Sequence, residues 1–157
     1  MLDPKYAAFI TRDGISINAA SCAEGRLPRI ARATGVRLSE DRCRVALLVA
    51  GQQYAPLLEA VRGSRAIAAV FSFPSTHETI QLKATDAEVQ EAVAGDAELA
   101  GRYVEAFAAE LEQYGYSGEA IRAVLWCDPA ELRVIAFTPT AAFLQTPGPR
   151  AGARLPA

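Results

Sequence analysis

The spacing of apolar residues changes several times along the chain, and each change marks the boundary of a predicted element. Residues 15–19 alternate between apolar and polar side chains, a period of two that predicts a β-strand with one buried face. A turn at residues 23–26 and a longer strand over residues 27–38 follow. This part of the chain therefore predicts a β-hairpin.

Two continuous apolar runs predict strands that are covered on both faces. They are residues 45–50 and residues 66–73. A short helix is predicted between them, because the apolar residues within residues 56–63 have helical spacing. After the second run, residues 78–89 alternate between apolar and polar side chains and predict a further strand.

Two other segments have the spacing of helices. Asp3 and Pro4 are a typical N-cap and first helical residue, which predicts a helix over residues 4–12. A longer helix begins at Asp96 and ends before Gly115, because apolar residues recur at every fourth position along it. This apolar stripe predicts a helix face that packs in the core.

The remainder of the chain predicts a second hairpin and an irregular tail. Residues 123–127 and 132–137 are predicted strands, joined by a segment with the composition of a reverse turn. Residues 146–150 contain two prolines and cannot form a regular element. Six or seven strands in sequential hairpins, with inserted helices, favour an antiparallel barrel over a parallel sheet. We therefore expect an α+β fold in a single domain over residues 1–157.

Composition and charge narrow the possible functions. The net charge of -2 gives no surplus of Lys and Arg, which argues against a nucleic-acid binder. Arginines concentrate within residues 25–44, where a local anion site and an ordinary solvated face both remain open. No apolar run approaches the roughly 18 residues of a membrane span. We therefore expect a cytoplasmic protein with no nucleic-acid or membrane partner.

Cysteine and histidine usage argues against a metal site. Cys22, Cys43 and Cys127 are odd in number and widely spaced, so neither a disulfide framework nor a zinc site is predicted. His77 is the only histidine, which excludes a site with several imidazoles within one subunit. Because His77 follows a turn, the roles of general base and of surface turn residue both remain open.

Two segments resemble parts of a known family. Residues 66–84 read as strand, turn and strand and end in Ile80-Gln-Leu-Lys-Ala84, while Pro28-Arg-Ile-Ala-Arg32 is a strand that begins with Pro and soon carries Arg. In this order they resemble the FMN-binding split barrel of the pyridoxamine 5'-phosphate oxidase-like superfamily, over about residues 13–89. The resemblance implies an antiparallel split β-barrel with flanking helices, which binds FMN at the interface of a homodimer.

The resemblance also implies an oxidoreductase that acts on an unidentified small molecule. In members with oxidase activity, a Ser-Arg-Lys phosphate clamp follows the strand that corresponds to residues 45–50. Here Gln52-Gln-Tyr54 occupies that position, Thr79 stands where the family has a flavin-contacting Gln, and Ala84 replaces the Gly that ends the motif.

These departures keep two other hypotheses open. One is a non-catalytic dimeric binding or sensing module that has lost the clamp or binds another anionic cofactor, such as haem or a deazaflavin. The other is a dimeric structural partner without a small ligand.

The candidate cofactor-binding residues are those that could anchor a phosphate or line a ring. A phosphate needs fixed donors, preferably a guanidinium that can bind through two nitrogens. Alternation places Arg32 on the apolar side of its strand, where its charge needs either an anionic ligand or an internal salt bridge. The whole set is Arg29, Arg32, Ser72, Ser75, Thr76, Thr79, Gln81 and Lys83. No catalytic residue is identified, because a flavin itself carries out the redox step.

Overall fold

The structure, a computed structural model, describes residues 2–156 as two antiparallel sheets with helices around them. The strands are β1 (Ser16–Ser21), β2 (Arg29–Arg32), β3 (Val36–Leu38), β4 (Val45–Ala50), β5 (Ile67–Ser72), β6 (Thr79–Ala84), β7 (Glu88–Glu91), β8 (Leu132–Phe137), β9 (Ala141–Leu144) and β10 (Arg154–Leu155). The helices are α1 (Pro4–Ile10), α2 (Ala55–Ser64), α3 (Asp96–Glu112) and α4 (Gly118–Leu125), with one 3₁₀ turn at Pro129–Glu131.

All the strand pairs are antiparallel, and the two sheets do not close on each other. The six-stranded sheet has the order β10-β9-β6-β5-β1-β2, and the four-stranded sheet has the order β3-β4-β8-β7. Helices are inserted between hairpins and do not alternate with parallel strands. The predicted α+β antiparallel architecture is therefore confirmed.

The structure has more strands than the six or seven expected, partly because two predicted strands are each divided. Residues 27–38 leave the six-stranded sheet after β2, where the Thr34 amide donates to a carbonyl of β4, and continue as β3 in the other sheet. Residues 78–89 divide in the same way, because the Ala87 amide donates to the Arg65 carbonyl between β6 and β7. Both breaks transfer the chain from one sheet to the other.

The predicted strand over residues 123–127, and with it the final hairpin, is wrong. Most of that segment is the end of α4, which is capped by Ser117: its Oγ accepts a hydrogen bond from the Ala120 amide at 3.3 Å. An apolar run this short does not distinguish a strand from a helix. The segment 132–137 is strand β8, but it pairs with β4 and β7.

The three predicted helices are confirmed, and so is the irregular tail. Asp3 caps α1 by accepting the Lys5 amide at 2.8 Å. Helices α2 and α3 lie where the apolar spacing predicts them. Residues 146–150 form neither helix nor strand, although the unpredicted strands β9 and β10 flank them.

Two apolar cores hold these elements together. The main core fills the space between the sheets, and every residue of β4 is buried. A smaller core covers the other side of the four-stranded sheet, where Leu48, Leu132 and Val134 pack against Leu99 and Ala100 of α3. Among the described residues, no helix is both long and apolar enough to cross a membrane.

Candidate functional site

The six-stranded sheet has an outer face that the chain leaves incompletely covered. Buried and half-buried residues alternate along β1 and β5. Successive side chains of a strand point to opposite faces, so the buried residues face the main core and the half-buried ones lie on the other side. This other side is the candidate site and is called the outer face below.

Strand register arranges the outer face in three rows. The longest row crosses all six strands and consists of Arg154, Phe143, Gln81, Val70, Asn18 and Arg32. A second row consists of Ala141, Lys83, Ala68, Ala20 and Ile30. A third, shorter row consists of Thr79, Ser72 and Ser16. Five of the eight candidate cofactor residues, Arg32, Ser72, Thr79, Gln81 and Lys83, therefore share one surface.

The outer face combines a small apolar patch with positive charges around it. Ala20, Ala68 and Val70 form this patch on the neighbouring strands β1 and β5, whereas the charged members of the three rows are Lys83 on β6 and Arg32 and Arg154 on the two edge strands. No carboxylate belongs to the rows, which lie wholly within the described residues. An apolar patch with basic residues around it suits a flat molecule that carries negative charge.

Arg32 retains unused hydrogen-bonding capacity. Its Nε and Nη2 atoms are buried and have no hydrogen-bond partner among the described residues. The guanidinium carbon lies 4.4 Å from the centre of the Phe107 ring on α3, a cation-π contact that stabilises the charge only in part. A buried cation without paired donors is costly unless an anion joins it. The donor set of Arg32 therefore fits a phosphate.

Tyr103 on α3 is a second polar group near Arg32, and its hydroxyl is also buried. Burial raises the pKa of Tyr103, and the positive charge of Arg32 opposes that shift. The hydroxyl therefore remains protonated at neutral pH and can donate a hydrogen bond. The helical spacing of the sequence assigned Tyr103 to the core, and nothing in that spacing indicated its proximity to Arg32.

The hydroxyls of Ser72 and Thr79 serve the hairpin between β5 and β6. They lie 2.8 Å apart, and Thr79 Oγ1 also donates to the His77 carbonyl at 3.0 Å. The Thr79 amide is bound by Thr146 Oγ1 at 2.9 Å. These groups are on the outer face, but their hydrogen bonds are already used to fix its polar end.

Ser75 and Thr76 lie in the exposed turn, apart from the three rows. The Ser75 amide donates to a carboxylate oxygen of Glu110 at 3.2 Å, and Thr76 Oγ1 accepts the Glu78 amide at 3.3 Å. Because Glu110 already places a negative charge at this turn, it would repel a phosphate. His77 ends the turn, exposed and in the left-handed backbone region at φ 57°.

Arg29 lies on the opposite face of β2 from Arg32, because it pairs with the buried Ser21. With Arg26 and Glu59 it lines a separate cavity of about 230 Å³ beside α2. The two arginines therefore cannot bind one phosphate from the same side of the strand. In the same basic stretch, Arg37 is committed to an ion pair with Asp96 at 2.9 Å.

Residues 52–54, for which the sequence resemblance raised the question of a phosphate clamp, have acidic neighbours. Gln52 and Gln53 are exposed and line a shallow depression together with Asp128 and Glu131. Burial raises the pKa of the adjacent Cys127 thiol, and the charges of these two acids raise it further. Such a field does not favour a phosphate at this position.

Comparison with known proteins identifies the fold through solved structures alone. No protein-family model matches the sequence, and no curated protein matches it. HupZ from Group A Streptococcus superposes with a TM-score of 0.58 at 15% identity, covering 97% of this chain and 100% of its own. A protein described as an F420 reductase gives a TM-score of 0.55 at 11% identity, covering 90% and 98%. A pyridoxamine 5'-phosphate oxidase-related, FMN-binding protein from Nostoc punctiforme gives 0.51 at 13% identity, covering 96% and 89%.

Proposed function

Because the chain has the α+β split-barrel fold of the pyridoxamine 5'-phosphate oxidase-like proteins, we propose that it is a flavoprotein whose outer face binds FMN. The observation that carries the proposal is the outer face itself: a surface with an apolar patch, basic residues around that patch and no carboxylate in its rows. Among the proteins with this fold, the one from Nostoc punctiforme is described as FMN-binding, and another is described as an F420 reductase.

The proposed binding mode places the ring system over Ala20, Ala68 and Val70, with the phosphate at Arg32. Arg32 and Gln81 lie three strand spacings apart, about 14 Å, which accommodates a tricyclic ring and the chain that joins it to a phosphate. Gln81 and Lys83 would then contact the polar edge of the ring. Bound FMN supplies the redox chemistry, while these residues provide orientation, positive charge and an apolar surface.

We also propose that a second copy of the chain completes the site. A ring lying on one open sheet would keep its other side in water, whereas cofactor sites bury most of their ligand. Ile30, at the edge of the outer face, is 68% exposed and adds apolar surface for such a contact. The proposed activity is that of an oxidoreductase acting on a small molecule admitted between the two copies.

A non-catalytic binding or sensing module is the second candidate function. The observation that favours it is the pair Asp128 and Glu131 beside Gln52 and Gln53, because these acids oppose a phosphate where oxidases of this fold have their clamp. Such a module would keep the outer face as a dimer surface or use it for another anionic cofactor, such as haem or a deazaflavin.

Addition of FMN to the purified chain tests the flavoprotein proposal. FMN at 100 times its dissociation constant is expected to stabilise the folded state by about 2.7 kcal/mol, which a thermal melt detects. The purified protein should also show flavin absorbance bands. If the protein shows no flavin bands and FMN does not stabilise it, the flavoprotein proposal is contradicted and the second candidate is favoured.

Two matched variants test the phosphate position. Arg32→Met keeps an unbranched side chain over Phe107 but removes the charge, so FMN should bind at least tenfold more weakly. Arg29→Met makes the same change on the other face of β2 and should leave FMN affinity unaltered. Equal affinities in the two variants would remove Arg32 from the site.

A further inference from the structure

A cleft lined by no residue of the three rows lies beside α3. It is between α3, α4 and the four-stranded sheet, and its volume of about 300 Å³ reaches the range of small-molecule sites. Its principal walls are Ala100, Gly101 and Val104 of α3, Leu125 of α4, Leu132 of β8, and Thr34. None of these residues belongs to the proposed flavin site.

Thr34 provides a buried polar group in this apolar cleft. The residue is 4% exposed, and its hydroxyl has no hydrogen-bond partner among the described residues. Rotation about the Cα–Cβ bond exchanges the positions of the hydroxyl and the methyl group, so the hydroxyl can turn towards the cleft. An unsatisfied buried hydroxyl costs about 1–3 kcal/mol, and a ligand that accepts its hydrogen bond would recover that cost.

Gly101 keeps the cleft open from the side of α3. It lies within a 17-residue helix, where glycine costs about 1 kcal/mol relative to alanine. A Cβ atom at Gly101 would meet nothing within 4 Å, so packing against neighbouring elements does not explain why this position is a glycine. The space above it is part of the cleft, and a large side chain would fill that space.

The mouth of the cleft carries no net charge. Arg122 and Glu105 form a bidentate ion pair there, with nitrogen–oxygen distances of 2.8 to 3.0 Å. The Cys127 thiol at the rim is neutral at pH 7, because burial and nearby acids raise its pKa. A charged ligand would therefore have no free counter-charge among the lining residues.

We propose that this cleft is a second binding site, for a small uncharged aromatic molecule that accepts a hydrogen bond from the Thr34 hydroxyl. The aromatic body would pack against Val104, Leu125 and Leu132, and its edge would reach Trp126 at the rim. The site goes beyond the proposed flavin function and does not depend on it.

Trp126 makes the proposal directly measurable, because it is the only tryptophan of the chain and lines the cleft. The probe is 4-nitrobenzyl alcohol, which is uncharged, carries one hydroxyl and contains a nitroaromatic ring that quenches tryptophan fluorescence. The full chain should show saturable quenching of Trp126. Thr34→Val, which keeps the shape but removes the hydroxyl, should weaken binding about fivefold.

Gly101→Leu distinguishes cleft binding from contact with the exposed indole. It should abolish saturable quenching while keeping or raising the melting temperature, because leucine is a better helix former than glycine. The matched control Ala109→Leu adds the same side chain at an exposed position of α3 and should bind like the unaltered chain. Purely linear quenching of the unaltered chain, or an unchanged dissociation constant in Gly101→Leu or in Thr34→Val, would overturn the proposal.

Discussion

Two glycines with opposite surroundings give a prediction about single residues. A Cβ atom at Gly51 would lie 2.7 Å from the Glu131 carbonyl oxygen, which cannot move away because the Gly51 amide is hydrogen-bonded to it at 2.8 Å. Gly51→Ala should therefore lower the free energy of unfolding by about 2 kcal/mol. Gly101→Ala, in open space, should raise it by about 1 kcal/mol. Urea denaturation checks both, and shifts of the same sign would contradict this account.

The sequence identified some members of the candidate site and missed others for a physical reason. Alternation within one strand placed Arg32 on an apolar side and grouped Thr79, Gln81 and Lys83 on one face. It did not reveal that Val70 and Phe143 lie in the row of Arg32 and Gln81, because register between distant strands is a tertiary property.

At the scale of elements, the pair Arg37 and Asp96 attaches α3 to the four-stranded sheet. Asp96 is 2% exposed and accepts Arg37 Nε at 2.9 Å. Arg37→Met should lower the free energy of unfolding by about 2 kcal/mol, less than for a fully buried pair because Arg37 is 40% exposed. Arg44→Met is the control: its contact with Glu88 is exposed and 3.8 Å long, and its attraction for Asp86 is weaker than the hydrogen bond that Asp86 accepts from Thr138. Its loss should cost under about 0.5 kcal/mol. Equal losses in urea denaturation would contradict the prediction.

Asp86 makes the connection between β6 and β7 sensitive to acid. Burial alone would raise its pKa, but the hydrogen bond from the Thr138 amide at 2.9 Å and the charge of Arg44 lower it below the usual 3.8. A folded-state pKa below the unfolded one means that the carboxylate stabilises the fold above pH 3.8 and that this contribution is lost as the pH falls through the folded-state value.

Asp86→Asn should therefore be less stable than the unaltered chain at pH 7, by about 1 kcal/mol. The difference should shrink as the pH is lowered to 3, because the stabilisation that the ionised carboxylate provides declines below pH 3.8. Urea denaturation at the two pH values measures it. A difference of the same size at both would show that the charge of Asp86 does not stabilise the fold.

Helix α4 shows why local patterns did not determine every element. Its last residues form a short apolar run that fits either a strand or a helix, and the decisive signal was the cap at Ser117. Helix α3 was predictable because it is long and its apolar stripe is regular. Length, and therefore the number of repeats of the pattern, separates the two cases.

At the scale of the whole molecule, the two sheets differ in what covers them. Helix α3 packs on the outer side of the four-stranded sheet and also contacts Arg32 through Phe107, while the residues of the outer face of the six-stranded sheet remain half-buried or exposed. This asymmetry supports the proposal that a second copy covers the outer face.

Light scattering after size exclusion tests the proposed dimer. The unaltered chain should have twice the monomer mass of 16.7 kDa. Ile30→Glu places a charge at the edge of the outer face and should give monomers. Val124→Glu, at a similarly exposed position on α4, should remain dimeric. A monomeric unaltered chain would contradict the proposed interface.

The most direct test of the outer face as a flavin site is an equilibrium titration of FMN fluorescence with the chain. The unaltered protein should bind and quench the flavin, whereas Val70→Glu, which puts a carboxylate in the apolar patch, should bind at least tenfold more weakly. Val93→Glu makes the same change at an exposed valine outside the three rows and should bind normally. Equal binding by Val70→Glu and the unaltered chain, or no binding by the unaltered chain, would contradict the account.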